Sequence, residues 1–188
     1  MSKDPLVRRS KHLSLVLRHD PGSVGIALDA AGWVDVAVLL PAMKLTGEQL
    51  EELVAKNEKK RFEFNENRTR IRASQGHSVD VELGYEEKVP PAKLYHGTSM
   101  DLLGVIRADG LKPMARHDVH LSDSIDTAIL VARRRSKPCV LSVRSDLMSF
   151  DGLKFQLSTN GVWLTAHVAP SYLGAHVWFA GEWIEASP

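Results

Sequence analysis

Apolar residues recur at intervals of three and four over the first third of the chain, which is the spacing of amphipathic helices. The pattern predicts helices over residues 6–18, 36–43 and 46–57. Thr46 and Gln49 have the spacing of a capping box, in which two side chains satisfy free amides at a helix start. The N-terminal segment is therefore expected to be mainly helical.

After these helices, the hydrophobic pattern changes from a helical period to alternation between apolar and polar residues. Residues 61–64 and 69–72 alternate between apolar and polar side chains, and residues 65–68 between them are turn-forming types. This arrangement predicts a β-hairpin. Three helices followed by a charged hairpin outline a winged-helix module, which binds nucleic acid in many proteins and protein partners in others.

Residues 84–91, a charged stretch closed by two prolines, are predicted to be a linker, and the pattern changes again beyond them. Strands are expected over residues 94–96, 119–121, 139–143 and 161–165, and helices over residues 100–108 and 126–134. The mixture predicts an α+β protein. Its N-terminal lobe is expected over residues 1–88, and a C-terminal lobe built on a small sheet is expected over residues 89–188.

Overall charge gives no signal for nucleic acid, because the 188 residues have a formal net charge of +1. Local charge is more informative, since seven basic residues stand against three acidic ones between Lys56 and Arg72. Phosphate-binding surfaces have this character, and so do solvated charged hairpins. The candidate contacts to an RNA backbone are Lys59, Lys60, Arg61 and Arg68.

Cys139 is the only cysteine, which excludes an intrachain disulfide and a thiolate cluster for a structural metal. It lies in the apolar run 139–143 and is predicted to be a small buried residue. No run approaches the roughly 20 apolar residues that a membrane-spanning helix needs, and the basic N-terminus lacks a signal-peptide core. A soluble cytoplasmic protein is expected.

Four segments place reactive or small polar residues where plain structural elements do not need them: residues 17–20, 71–78, 94–99 and 117–122. Arg18 and His19 end the first helix, and a guanidinium beside an imidazolium suits a phosphate dianion. The same two cations could simply complement the negative end of the helix dipole. The second segment contains Gly76, which can bring backbone amides close to an anion.

The third segment is predicted to be a strand that runs into a glycine turn at Gly97 before a helix. Free amides at such a junction suit a ribose, an amide or a phosphate. In the fourth segment, the odd spacing of His117 and His120 puts them on opposite faces of a strand, which argues against a metal site. His120 and Ser122 are instead expected to line a cofactor pocket.

Read together, five segments resemble the ordered motif set of the RNA (tRNA) 2′-phosphotransferase family of the KptA type. They are residues 15–19 (LVLRH), 71–78 (IRASQGHS), 95–98 (YHGT), 119–122 (VHLS) and 160–165 (NGVWLT). Each is short, but five in the same order are specific and span most of the chain. The resemblance implies an N-terminal winged-helix lobe that holds RNA. It also implies an ADP-ribosyltransferase-like C-terminal lobe, with a small mainly antiparallel sheet, that holds NAD⁺.

The resemblance further implies NAD-dependent removal of an RNA 2′-phosphate, with NAD⁺ as co-substrate. The phosphate would attack the ribose carbon that bears nicotinamide, giving an ADP-ribosylated RNA intermediate. The 2″-hydroxyl would then attack phosphorus and release 2′-hydroxyl RNA and ADP-ribose 1″,2″-cyclic phosphate. The nucleophile is already an anion, so this chemistry needs positioning and arginine charge more than a strong base, and it needs no metal.

By motif, the resemblance assigns catalytic roles to Arg18, His19, Arg72 and Arg134. It assigns NAD⁺ binding to His96, Gly97, Thr98, His120, Ser122, Asn160 and Gly161. Ala132 stands where the family has a glycine, and the adjacent arginines leave Arg133, Arg135 and Arg116 as alternatives for the fourth arginine. Trp163 is expected in the core rather than as a stacking platform.

Two other functions fit the same residues. An NAD⁺-dependent ADP-ribosyltransferase acting on terminal phosphates of RNA or DNA would use the same pocket and stop after one step. A winged-helix binder with a degenerate C-terminal lobe would need neither His96, Gly97 and Thr98 nor the cationic set, which are intact. The expected partner is an RNA that carries a 2′-phosphate, with no membrane, and the expected state is a monomer.

Overall fold

The computed structural model describes residues 5–185. The chain divides into two compact units, Met1–Gly84 and Tyr85–Pro188. The division falls at the start of the segment that the sequence predicts to be a linker. Among the described residues, no helix combines the length and the apolar character needed to cross a membrane.

Helices occur in the described part of the first unit at each of the three predicted positions. They are α1 (Pro5–Arg18), α2 (Val36–Met43) and α3 (Gly47–Ala55). α1 buries Leu13, Val16 and Leu17 in the core of the unit, so its remaining surface can be charged. The capping box at the start of α3 is confirmed, with reciprocal hydrogen bonds of 3.1 and 3.2 Å.

The hairpin is also confirmed. β2 (Phe62–Phe64) pairs with β3 (Arg70–Ala73), and β1 (Val34–Asp35) joins the other edge of β3, giving the antiparallel order β1-β3-β2. Phe62 and Ile71 belong to the core shared with the helices. Side chains alternate across a strand, so the neighbouring charged residues of the hairpin lie on the other face.

The second unit combines helices with two small antiparallel sheets. Its helices are α4 (Leu103–Asp109), α5 (Ile125–Ala132) and α6 (Ser145–Phe150). Its strands are β4 (Leu94–Ser99), β5 (Val119–Leu121), β6 (Pro138–Val143), β7 (Gln156–Leu157), β8 (Trp163–Thr165), β9 (Leu173–Phe179) and β10 (Glu182–Glu185). The strand orders are β10-β9-β6-β4 and β5-β8-β7. This architecture agrees with the predicted α+β class and antiparallel sheet.

Two core predictions are confirmed. Trp163 is 7% exposed and packs edge-on against Phe155, with 6.5 Å between the ring centroids. Cys139 is fully buried, and burial, with a smaller contribution from Asp101, raises the pKa of its thiol to about 11. The thiol therefore stays protonated at neutral pH, which suits a packing role.

The prediction of a glycine turn at Gly97 is wrong. β4 continues through Gly97 to Ser99 and pairs along its length with β6. A 3₁₀ turn, Met100–Leu102, then precedes α4, so the helix predicted over residues 100–108 is divided. Packing explains the glycine, since a Cβ at this position would lie 2.2 Å from the Ala128 carbonyl oxygen of α5.

The sequence pattern did not predict α6, β7, β9 or β10. α6 has only six residues, too few for a helical period to stand out. β9 pairs with β6, a contact between segments far apart in the chain, whereas β10 pairs with its chain neighbour β9 in a short local hairpin. Part of the predicted linker is attached to the second unit, because Glu87 pairs with Gln156 and the Lys88 amide donates to the Phe155 carbonyl at 2.8 Å.

Candidate active site

The first unit brings the first two motifs into contact. Arg18 is the last residue of α1, and its carbonyl oxygen accepts hydrogen bonds from the amides of Ser78 (2.9 Å) and Val79 (3.3 Å). His19 Nδ1 lies 2.9 Å from Ser78 Oγ. Carbonyls at the end of a helix have no partner within that helix. The segment after β3 supplies such partners, and it thereby holds Arg18 and His19 beside the second motif.

Arg72 lies on β3 in a closely packed environment. Its Nε donates to Glu63 Oε1 at 2.5 Å, and its Nη1 donates to the carbonyl oxygens of Ala31 (3.1 Å) and Leu83 (3.0 Å). The guanidinium carbon lies 4.5 Å from the centroid of the Trp33 ring, a cation–π distance. The side chain is only 11% exposed. These contacts hold the guanidinium in one orientation.

The basic stretch 56–72 offers less positive charge than its sequence indicates, because four acids outside it and Glu63 within it pair with its cations. The pairs are Lys56 with Glu52, Arg68 with Glu51, Arg70 with Asp29 and Asp35, and Arg72 with Glu63. Each pair reduces the positive charge offered to a phosphate backbone. Arg61, one of the predicted RNA contacts, lies beside the first motif, since its carbonyl oxygen is 3.5 Å from Arg18 Nη2.

In the second unit, the structure joins the two motif histidines. His96 Nδ1 lies 3.0 Å from the His120 carbonyl oxygen, so His96 Nδ1 carries the proton and donates. Arg116 Nη1 lies 3.0 Å from His120 Nδ1. An arginine can only donate, so His120 Nδ1 accepts, and a neutral His120 ring carries its proton on Nε2. The contacts therefore assign one tautomer to each ring.

Positive charge surrounds the histidine pair. Burial lowers the pKa of His96, and Arg116 and Arg135 lower it further, although the His120 carbonyl opposes the shift. His96 is therefore neutral near pH 7. Burial also lowers the pKa of Arg116, with Arg135 and Arg134 adding to the shift. Three guanidinium groups thus lie close enough to disfavour one another, and an anion would relieve that repulsion.

The remaining predicted NAD⁺ residues lie on neighbouring elements of the second unit. The backbones of Tyr95 and Ser122 exchange hydrogen bonds of 2.8 and 2.9 Å, which joins the third and fourth motifs. Thr98 is buried in β4. Asn160 and Gly161 precede β8, and Leu121 pairs with the first residue of that strand, so this turn and Ser122 lie at the same end of the sheet.

Sequence reasoning missed the residues that support the motif side chains. These residues are Glu63 and Trp33, which contact Arg72. Arg116 was predicted only as an alternative for the fourth arginine, and its contact with His120 was not predicted. One signal for Glu63 was present, because a hairpin between residues 61–64 and 69–72 makes Glu63 and Arg72 a cross-strand pair of opposite charge. Nothing comparable in the sequence indicates the Trp33 contact, which depends on a turn packing against the sheet.

Comparison with known proteins now identifies the class of enzyme. The family model described as "RNA 2'-phosphotransferase, Tpt1 / KptA family" matches residues 4–167. A "Probable RNA 2'-phosphotransferase" of Burkholderia pseudomallei is 51% identical over 171 residues, covering 88% of this chain and 93% of the relative. Proteins of the same description from Flavobacterium johnsoniae and Streptomyces coelicolor are 49% and 47% identical, over 87% and 92% of this chain and 93% and 97% of theirs.

The chain therefore belongs to the RNA 2′-phosphotransferase family, as its motif set predicted. Membership makes it a transferase whose substrate is RNA.

Proposed function

We propose that the protein removes a 2′-phosphate from RNA by transferring it to NAD⁺, releasing nicotinamide and ADP-ribose 1″,2″-cyclic phosphate. The observation that most supports NAD⁺ as the acceptor is the hydrogen-bonded pair of His96 and His120 beside Arg116, Arg134 and Arg135. NAD⁺ carries a pyrophosphate, which suits clustered guanidinium groups, and it carries an amide and ribose hydroxyls, which suit neutral imidazoles.

The residues of the second unit fit this co-substrate. His120, with Nδ1 occupied by Arg116, can offer an Nε2 proton, and His96 can offer Nε2 as an acceptor. Ser122 and the turn at Gly161 lie at one end of the small sheet, where they can add polar contacts. Gly97 contributes by packing, because it allows α5 to approach β4 closely.

The proposed reaction has two steps, and residues of the first unit are suited to the phosphate in both. In the first step, an oxygen of the RNA 2′-phosphate bonds to the ribose carbon and nicotinamide leaves. In the second, the 2″-oxygen bonds to phosphorus, the bond to the RNA 2′-oxygen breaks, and a proton moves from the 2″-hydroxyl to that oxygen. Arg18 and Arg72 stabilise negative charge on the phosphate oxygens, and His19 is the group suited to moving the proton near neutral pH.

Several finer expectations belong to this proposal. The helices α1 to α3 and the β1-β3-β2 sheet of the first unit support a winged-helix module that binds RNA. The antiparallel sheets of the second unit support an ADP-ribosyltransferase-like fold. Arg134 is proposed as the fourth arginine, and its place two residues after the end of α5, in the charge cluster around Arg116, supports this role. The cytoplasmic location and the monomeric state of the protein stay predictions.

The test uses a short RNA with one radiolabelled internal 2′-phosphate, incubated with the protein, with and without NAD⁺, and without metal. Label that moves to ADP-ribose cyclic phosphate only when NAD⁺ is present is the expected result. A stable ADP-ribosylated RNA would instead support the transferase that modifies terminal phosphates, and an RNA with a terminal phosphate provides the matched substrate. If neither RNA changes, both enzymatic functions are contradicted.

A further inference from the structure

Glu63 has no assigned part in the reaction, yet it binds Arg72, a closely packed arginine of the candidate site. Glu63 and Arg72 are direct cross-strand partners in the hairpin, with side chains 20% and 11% exposed. Opposite charges at such positions attract across neighbouring strands. The 2.5 Å contact joins the Glu63 carboxylate to Nε, the atom nearest the aliphatic part of the Arg72 side chain. Glu63 therefore controls the direction in which the guanidinium leaves the strand.

A second set of contacts fixes the guanidinium from the side of the β1 turn. The Ala31 carbonyl accepts from Nη1 and the Trp33 ring covers one face of the group. The turn that supplies both is held by Asp29, whose Oδ1 accepts from the amides of Ala31 (3.0 Å) and Trp33 (2.8 Å). Asp29 Oδ2 is itself 2.7 Å from Arg70 Nη2. Arg72 is thus supported by the Glu63 carboxylate on β2, by the turn before β1 and by the Leu83 carbonyl.

A carboxylate next to a phosphate-binding arginine needs an explanation, because it repels the phosphate. The carboxylate offsets this repulsion because it fixes the orientation of the guanidinium. An unrestrained arginine loses rotamer entropy when it binds, whereas a guanidinium that is already fixed does not. Preorganised donors are most effective where charge develops during the reaction. The geometry is consistent with a group that stabilises a transition state at phosphorus, where a small misplacement is costly.

We propose that Glu63 is a positioning residue that acts through Arg72 in the second step of the reaction, the attack of the 2″-hydroxyl on phosphorus. This proposal rests on the proposed function, because it assumes that Arg72 stabilises charge on the phosphate. It predicts that the loss of Glu63 reproduces part of the loss of Arg72 and has no effect once Arg72 is gone.

The experiment is a double-mutant cycle measured by single turnover. The two steps are followed separately as the formation and the decay of ADP-ribosylated RNA, using Glu63→Ala, Arg72→Ala and the double variant. Glu63→Ala should slow the decay by roughly 10- to 100-fold while leaving formation within about 3-fold, and the double variant should match Arg72→Ala. If Glu63→Ala slows decay by the same factor in both backgrounds, or has no effect on decay, the proposal is wrong.

Asp35→Ala is the matched control. It removes a carboxylate from Arg70, which is two residues before Arg72 on the same strand, and it is expected to leave both steps unchanged. Glu63→Asp guards against a variant that fails to fold, because it keeps the charge and withdraws the carboxylate by one methylene. It should slow decay several-fold with an unchanged unfolding temperature. Decay at the wild-type rate in Glu63→Asp would contradict positioning through Nε.

A readout without turnover separates this proposal from the proposed function. The Arg72 Nε proton, observed by nuclear magnetic resonance, should exchange slowly with solvent in the wild-type protein and in Asp35→Ala, and rapidly in Glu63→Ala. If the wild-type protein does not process the RNA, the proposed function fails, and the exchange rate still reports whether Glu63 fixes Arg72. An unchanged exchange rate in Glu63→Ala would overturn the positioning role.

Discussion

Arg72 in the first unit and Arg116 in the second unit both belong to candidate anion-binding groups, but their neighbours have opposite character. Arg72 is surrounded by a carboxylate, two carbonyl oxygens and an aromatic face. The charges that act on Arg116 are Arg134 and Arg135. The positive charge of one arginine is already compensated by the fold, whereas the other lies in a cluster of like charges.

The difference suggests two ways to prepare for a phosphate. A compensated arginine is fixed in advance, so it offers direction with little further ordering. Clustered arginines raise the energy of the empty site, so an anion gains affinity by relieving repulsion. The first arrangement suits a group that must be correctly placed in a transition state, and the second suits binding of a doubly charged pyrophosphate.

The largest effect is expected from substitution of Arg72, the arginine whose charge is compensated. Arg72→Ala should lower the rate of the second step by roughly 10²–10³-fold, the usual cost of removing a preorganised donor, and ADP-ribosylated RNA should accumulate. The loss of the Glu63 partner should also lower the free energy of unfolding. Single-turnover assays with labelled RNA measure the intermediate. Unchanged activity without the intermediate would show that Arg72 has no catalytic role.

Close packing in the second unit provides the next test. Gly97→Ala should lower the free energy of unfolding by about 1–3 kcal/mol, because the added methyl group overlaps the Ala128 carbonyl. Gly104→Ala is the control, since a Cβ there meets nothing within 4 Å and alanine is the better helix former. Urea denaturation of both variants gives the comparison. Equal stability would mean that Gly97 is not required for the contact between α5 and β4.

Substitution of His120 tests the proposed division of RNA binding and NAD⁺ binding between the two units. His120→Ala should raise the KM for NAD⁺ by about 10-fold or more, as expected when a hydrogen bond in a charged site is lost, with RNA affinity nearly unchanged. Calorimetry with NAD⁺ and a binding assay with unreactive RNA report the two affinities. An equal loss of RNA binding would contradict the division into an RNA-binding and an NAD⁺-binding unit.

Substitutions within the like-charge cluster should have smaller effects on binding and should distinguish its members. Arg116→Met should raise the KM for NAD⁺ by about 3- to 10-fold at a similar kcat, because His120 loses the donor that fixes its tautomer. Arg116→Lys retains a donor and should recover part of the loss. Arg134→Met should mainly lower kcat if Arg134 is the fourth catalytic arginine. The opposite pattern would exchange the two roles.

The smallest effect concerns the turn that supports Arg72. Burial alone would raise the pKa of Asp29, but hydrogen bonds from Trp33, Arg70 and Ala31 lower it overall. A lowered folded-state pKa stabilises the fold above the unfolded value of about 3.9, and this stabilisation is lost as the pH falls through the folded pKa. Asp29→Asn should therefore cost less than about 1 kcal/mol at pH 7, since the pair with Arg70 is exposed.

The measurement for Asp29→Asn is urea denaturation at pH 7 and at about pH 2.5. The difference from the wild-type protein should be smaller at the lower pH, because the contribution of the carboxylate is lost as the pH falls through its lowered folded-state pKa. A difference that stays constant between the two values would show that the carboxylate charge does not contribute.

The elements with their own local signals were predicted well. The apolar stripe of α1, the capping box of α3 and the alternation of the hairpin each depend on residues within a few positions of one another. Gly97 shows where local reasoning fails, because a glycine after a short strand is typical of a turn. The approach of α5 from more than 30 residues away is what requires it.

The sequence by itself determined the family, the helical and hairpin segments of the first unit and the motif residues, because these are properties of neighbouring residues and their order. Only the tertiary structure decided which motifs meet, such as Arg18 with Ser78 and His96 with His120. It also decided that Arg72 is compensated by Glu63 and that Arg116 lies among like charges. The electrostatic state of a side chain depends on groups that packing brings from distant parts of the chain, and local sequence does not encode those distances.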